Sequence, residues 1–438
     1  MKLELADVQG LFARGYGDLK SAAFLLLRVE DAAAARRWLG EARMTSAEER
    51  RPEQAVNIAF TSAGLERLGL PREAVAQFSN EFAAGMTTPH RTRILGDVEE
   101  NAPERWDWGG AGAPVDAVLL LYARDESSLS RLEEAPAGFS LVRRLGTADL
   151  DGFEPFGFRD GISQPFVEGL GKSGPAEATV RPGEFLLGYE NEYGQTNEQA
   201  LLRNGSYLVF RQLRQDVSGF WRYVDAATRR ADGSSDEPAR LRLASKMVGR
   251  WPSGAPLALA PDTDDPELAD ANDFGYHEHD PRGARCPVGS HIRRSNPRDS
   301  LDPDPGSSRS FEINRRHRIV RRGREYGPPL PLEQALAGDD SAERGLHFIC
   351  LNANIARQFE FVNHTWLNNP KFGELNDDAD PLFAPGCFTI PTEGVRERVT
   401  HVPRFASVKG GAYFFLPGLA ALRYLAGLPG KTSSPVGS

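Results

Sequence analysis

The sequence predicts an α+β fold made of two related halves, and three observations carry that prediction. At 438 residues the chain is too long for one ordinary core, so two domains are expected. Short apolar runs of strand length alternate with helix-forming stretches. That strand–helix–strand order occurs early in the chain and again after Gly183, although the two halves are not visibly alike in sequence.

In the first half, Ala22–Val29 reads as a buried strand, and Asp31 is placed to cap an alanine-rich helix running to about Ala42. Ala55–Thr61 is a second apolar segment, interrupted by Asn57, and Ser62–Leu68 a brief helix. Val115–Ala123 reads as a strand, Glu126–Glu134 as a helix and Phe139–Leu145 as a further strand, giving a sheet with helices on one face. In the second half, Gly205–Leu213 is a strand and Val217–Thr228 an amphipathic helix. Leu346–Ala353 runs as a strand into a helix from Ile355 to about Leu367. Ala412–Leu416 and Gly418–Ala426 close the chain as strand and helix. The expected domains are therefore 1–182 and 183–438. Arg230–Glu237 reads as a polar connection, Pro261–Asp280 as a long acidic one, and Lys431–Ser438 as a disordered tail.

Composition narrows the function. Hydrophobic content of 40% and charged content of 26% describe a globular chain, and a net charge of −9 argues against nucleic acid or an anionic membrane as partner. No apolar run approaches a membrane span or a secretory signal, and Cys286, Cys350 and Cys387 form no CxxC pair. A reducing, cytoplasmic setting is expected. The sequence carries no signal for the oligomeric state.

Three stretches hold residues suited to chemistry. Arg285–Arg298 sets His291 between a Gly-Ser step and a run of arginines. Such a histidine is either a polar surface residue or an axial ligand to an iron porphyrin whose carboxylates the arginines answer. Gly157-Phe158-Arg159-Asp160-Gly161 brackets a carboxylate with glycines. It is either a common Asp-Gly turn or a tight loop presenting an acid–base to bound peroxide. In Arg315–Gly327, alternation puts Arg321 on the buried side with Ile319. A guanidinium there needs an anionic partner, or stabilises charge on a leaving oxygen; the alternative is a solvated basic strand. His277 and His279 are weaker metal-ligand candidates, and Cys286 a weaker thiolate one. The absence of CxxCH means that any heme is held non-covalently.

Taken together, these stretches resemble the dye-decolorizing peroxidase family of heme enzymes, in its longer-chain branch. Gly157–Pro165 is similar to the family's GxxDG motif, Cys286–Arg298 to the segment holding its proximal histidine, and Ile319–Gly327 to its distal-arginine strand. Gly345–Phe348, Phe359–Val362 and Trp366–Pro370 match as well, as does the opening Asp7–Leu11, so the likeness spans nearly the whole chain.

The resemblance implies two ferredoxin-like domains of antiparallel sheet and helices, with heme b between the sheet and helices of the second. It implies His291 as the iron ligand, Asp160 as distal acid–base and Arg321 as stabiliser of the leaving oxygen. Leu346 and Phe348 would shape a dry peroxide pocket, and Arg294 would meet a heme propionate. Gly323 stands where shorter members place an asparagine, and the proximal carboxylate that would bond His291 is not placed. The function implied is a heme peroxidase that uses hydrogen peroxide to oxidise small organic donors, dyes and phenols, through a ferryl–porphyrin radical. Trp251, Tyr326 and Trp366 are possible electron relays to the surface. Two other readings fit the same residues: a heme-handling protein with little turnover, and a cofactor-free binding module in which these residues form a buried salt bridge.

Overall fold

In a computed structural model, residues 2–171, 174–175, 178–392 and 394–429 are described; the tail Lys431–Ser438 lies outside them. The first half contributes β1 (Ser21–Val29), α1 (Ala32–Glu41), β2 (Gln54–Phe60), α2 (Ser62–Leu68), β3 (Ala117–Ala123), α3 (Glu126–Ser130) and β4 (Phe139–Gly146). The strands lie side by side as β4-β1-β3-β2, all antiparallel. Asp31 caps α1 by accepting from the amides of Ala33 and Ala34, as its sequence position suggested. The helix α3 is shorter than expected. Its last turn is given up where Glu133 is drawn to Arg144 of β4, Nε to Oε2 2.9 Å.

The second half supplies β5 (Ser206–Gln215), α4 (Val217–Ala227), α5 (Glu237–Val248), α6 (His291–Ser295), β6 (Val320–Arg321), β7 (Arg324–Tyr326), β8 (Gly345–Asn352), β9 (Ala406–Leu416) and α7 (Leu419–Ala426). Their order is β9-β5-β8, with β6 and β7 successive on the far edge of β8. Counting β6 and β7 as one interrupted strand, each half places its fourth strand beside its first, then its third, then its second. The expected duplication is therefore a duplication of strand order.

The halves do not form separate sheets. Phe60 of β2 pairs with Phe415 of β9, so one nine-stranded sheet runs through both. Gln9 reinforces this seam, donating to the carbonyls of Ile58 and Pro417 at 2.9 Å each. The closing helix α7 packs on α1, with Leu422 and Leu425 in the same core as Ala35 and Leu39. On the opposite face the sheet is covered by irregular segments carrying Val8, Leu11, Phe12, Phe185 and Leu186.

The helix α5 is not foreseen from the sequence, where 230–237 reads as a loop and 238–248 is assigned no element. Its boundary signals are ordinary: Asp236 accepts from the amide of Ala239, and Gly249 ends it at φ +106°. Its buried face is what misleads, because Arg240 and Lys246 are both buried there. Arg240 pairs with Asp225 at 2.9 Å, and the Lys246 ammonium donates to the carbonyls of Ala284 and Arg285.

Candidate active site

Strand β8 builds one wall of a cavity of about 440 Å³. Its residues alternate, with His347 and Ile349 buried on one face and Leu346 and Phe348 facing the cavity on the other. On the neighbouring strand Val320 lies opposite Leu351, and Arg321 opposite Cys350. Arg321 therefore joins Leu346 and Phe348 on the cavity side, with Ile319 beside it. Gly323 interrupts this edge strand. A side chain there would begin 2.5 Å from the carbonyl oxygen of His347, so no asparagine fits without moving the strand.

The second contribution is the loop Gly152–Pro165. Asp160 bonds Arg321, Oδ1 to Nη1 2.8 Å, and both side chains are about 30% exposed to the cavity. Gly157 and Gly161 sit at φ +94° and +80°, a conformation that explains the glycines on either side of Asp160. Gln164 of the same loop exchanges two hydrogen bonds with the Arg321 backbone, accepting from its amide at 3.1 Å and donating to its carbonyl at 3.2 Å. The two sequence motifs are thus one structural unit. Burial opposes the Asp160 charge, but the Arg321 guanidinium and the Gly161 amide outweigh it and hold the carboxyl below its ordinary range.

The third contribution faces these two. His291 opens α6, and its imidazole lines the cavity. Nδ1 lies 2.8 Å from Oδ2 of Asp380, which is fully buried and whose Oδ1 accepts from the Leu382 amide at 3.0 Å. Burial pulls against the charged imidazolium, yet Asp380 prevails and the net shift of His291 is upward. Asp380 is the carboxylate bonded to His291, a partner that the sequence did not yield. Its only signal is the run Asp377, Asp378, Asp380, which reads as a polar loop.

One expectation is corrected. Arg294 does not face the cavity. Its guanidinium is fully buried and donates to the carbonyls of Gly289, Trp366, Asn369 and Asp378, which leaves it turned away from any cofactor carboxylate. Trp251, Tyr326 and Trp366, the possible electron relays, are 3%, 8% and 4% exposed, so each lies inside the protein rather than at its surface. Arg318 occupies the cavity wall that Arg294 was expected to reach. Its Nη2 donates to the Ser163 carbonyl at 3.2 Å, and burial beside Arg298 and Arg321 pulls its guanidinium down to about 9. Beyond it lies a second cavity of about 480 Å³, which shares Asn296 and Arg318 with the first and is lined by Gln164, His277 and His279. Cys286 is buried in a separate apolar cluster with Trp251 and Phe274.

An iron porphyrin suits this set of residues. His291 has Nδ1 committed to Asp380, which leaves Nε2 as the ligating nitrogen. Arg318 lines the same cavity as a cation without a carboxylate partner among the described residues, a group that could answer a porphyrin's acid groups. Apolar side chains, among them Ile162, Ile319, Leu346, Phe348, Phe359 and Val362, make up much of the wall between.

Comparison with known proteins agrees over almost the full length. No family model matches the chain. Peroxidase 2 of Mycetinis scorodonius is 31% identical over 96% of this chain and 87% of its own length. A dye-decolorizing peroxidase of Mycena epipterygia is 33% identical over 86% of this chain and 76% of its own. Among solved structures, a dye-decolorizing peroxidase in complex with 2,6-dimethoxyphenol superposes with TM-score 0.81 at 28% identity, covering 97% of this chain and 100% of that one. The Auricularia auricula-judae enzyme gives TM-score 0.83 at 25% identity, again over 97% and 100%. Kinship of this extent, in a chain whose cavity gathers a histidine, an aspartate and an arginine from three distant stretches, places it in the dye-decolorizing peroxidase family of heme-dependent peroxidases.

Proposed function

We propose that the cavity would hold heme b without a covalent link, with His291 binding its iron through Nε2, and that hydrogen peroxide is the oxidant. The observation that carries this reading is the convergence of Asp160, Arg321 and His291 on one cavity, the first two paired on the wall opposite the third. Bound there, the iron porphyrin would supply the redox centre at which peroxide is reduced and from which organic donors are oxidised.

The chain's own residues set the conditions. Asp380 accepts a hydrogen bond from Nδ1–H of His291, which fixes the ring's tautomer and makes Nε2 a stronger electron donor. Asp160, ionised because Arg321 stands beside it, would take a proton from one peroxide oxygen and hand it to the other, while the iron porphyrin, when bound, would supply the two electrons that break the O–O bond. Arg321, beside Asp160, would offset the negative charge that grows on the departing oxygen. Leu346 and Phe348 keep bulk water from that wall. Arg318, in place of Arg294, meets a propionate.

The donors proposed are phenols and dyes, the class represented by the dimethoxyphenol bound to the similar structure. Residues 1–182 and 183–438 are proposed as the two domains, allowing that α7 returns to the first. A cytoplasmic setting is proposed from three unpaired cysteines; no helix among the described residues is long and apolar enough to cross a membrane.

Titration of cofactor-free protein with hemin tests the reading. The native chain is expected to take up one equivalent and develop a sharp Soret band, and His291→Ala to lose most of that affinity. Equal uptake by the two proteins would remove His291 as ligand.

A further inference from the structure

Asp160 owes its place to a loop that must hold shape inside an open cavity, and one acidic residue of that loop has no part in the chemistry so far. Glu154 lies six residues before Asp160 and lines the same cavity. Its Oε1 accepts from the Phe158 amide at 3.0 Å, and its Oε2 from the Phe156 amide at 3.1 Å and from Nε2 of Gln215 at 2.8 Å. Gln215 is the last residue of β5, so this carboxylate ties both limbs of the turn at Gly157 to the central sheet. The Glu154 backbone closes the same turn, donating to the Phe158 carbonyl at 2.9 Å and accepting from the Gly157 amide at 2.8 Å. Just outside, the Asp160 amide donates to the Gly152 carbonyl at 2.9 Å.

We propose that Glu154 is a positioning residue for the distal base: its carboxylate clamps the Phe156–Phe158 turn to the sheet and thereby sets where Asp160 stands relative to Arg321. This deepens the reading of Asp160 given above and rests on it.

The bland alternative is that Glu154 merely closes a turn already secured by its aromatic plugs. Phe156 and Phe158 do pack against Phe220 and Trp221, and Trp221 Nε1 donates to the Phe156 carbonyl at 3.0 Å. Those contacts fix the turn's depth and leave the amides of Phe156 and Phe158 without a partner, which is the part the carboxylate supplies. A carboxyl in such a setting is costly: burial pushes it up to about 7, with Asp160 adding a like charge. An acid kept where an apolar residue would be cheaper has a use for all three of its hydrogen bonds.

The test is a double-mutant cycle on the heme-loaded protein, read in two ways. Hydrogen exchange of the 153–161 amides is expected to accelerate about tenfold or more in Glu154→Ala, and less in Glu154→Gln, which keeps one acceptor, while exchange in β3 and β5 stays unchanged. The rate of the Soret change on mixing with peroxide is expected to fall about tenfold in Glu154→Ala and to recover in part in Glu154→Gln. It should fall no further when Glu154→Ala is added to Asp160→Ala, because the effect runs through Asp160. Unchanged loop exchange in Glu154→Ala, or a full additional loss on top of Asp160→Ala, overturns the proposal. A peroxide rate untouched by Asp160→Ala overturns instead the role given to Asp160, and the exchange data still decide whether Glu154 is the clamp.

Discussion

Two of the carboxylates at the cavity, Asp380 and Asp160, are each paired with a basic residue at 2.8 Å, and they are housed in opposite ways. Asp380, beside His291, is fully buried, and its other oxygen is held by a backbone amide. Asp160, beside Arg321, is about 30% exposed to the cavity, on a turn that depends on glycine. A dry, doubly bonded carboxylate cannot exchange its partner cheaply, which suits a group that must hold one imidazole in one orientation. A cavity-facing carboxylate kept ionised by a cation can meet a small ligand and hand a proton across it. An aspartate beside a basic residue therefore serves permanence on one side and exchange on the other.

Substitutions should expose this difference. Asp160→Ala or Arg321→Ala is expected to keep heme and slow the peroxide reaction by about a hundredfold or more, as rapid mixing with a single equivalent of peroxide would reveal. Asp380→Asn should do the reverse, weakening heme affinity about 10–100-fold with a smaller effect on the peroxide step per bound heme. If Asp380→Asn slowed peroxide as much as Asp160→Ala at full heme occupancy, the division of labour would be wrong.

The pH profile sharpens the contrast. Arg321 holds the Asp160 carboxyl below its ordinary range. The base therefore stays ionised at ordinary acidic pH, and the peroxide step should fade only as pH drops through that lowered value. The stability contributed by the Asp160–Arg321 pair has the same sign: it is present above the unfolded pKa and lost as pH falls through the folded one. In Arg321→Lys a point charge replaces the fork, and the acid limb is expected to move to higher pH. A limb that stays where it was would mean that Asp160 is not the group titrating. The smallest effect concerns the cofactor's acid groups. Arg318→Met is expected to weaken heme uptake severalfold, about 1 kcal/mol, whereas Arg294→Lys should lower stability in chemical denaturation through its lost carbonyl bonds.

Much of this was legible in the chain because the informative features are local. A strand announces itself by an apolar run, as in Ser21–Val29, and a helix start by its cap, as at Asp31. The motifs around Asp160, His291 and Arg321 are contiguous, and their residues do meet in one cavity. What stayed hidden depends on distant partners. Asp380 stands 89 residues from His291, in an acidic run that looks solvated until folding buries it. Arg294, three positions after His291, shares its helical face in an idealised helix. The actual helix has five residues, and the carbonyls of 366–378 draw Arg294 the other way. The helix α5 was hidden because buried Arg240 and Lys246 break the apolar stripe by which a helix is read. In each case tertiary pairing of a charged group overrode the local pattern.

The central claim is that one cavity binds heme through His291 and activates peroxide through Asp160. Its most direct test is the visible spectrum of protein from heme-supplied cells, followed by rapid mixing with one equivalent of hydrogen peroxide, for the native chain and Asp160→Ala in parallel. The account expects a Soret band in both, changing at once in the native chain and about a hundredfold more slowly in the variant. A native chain without a Soret band, or two proteins that respond at the same rate, would contradict it.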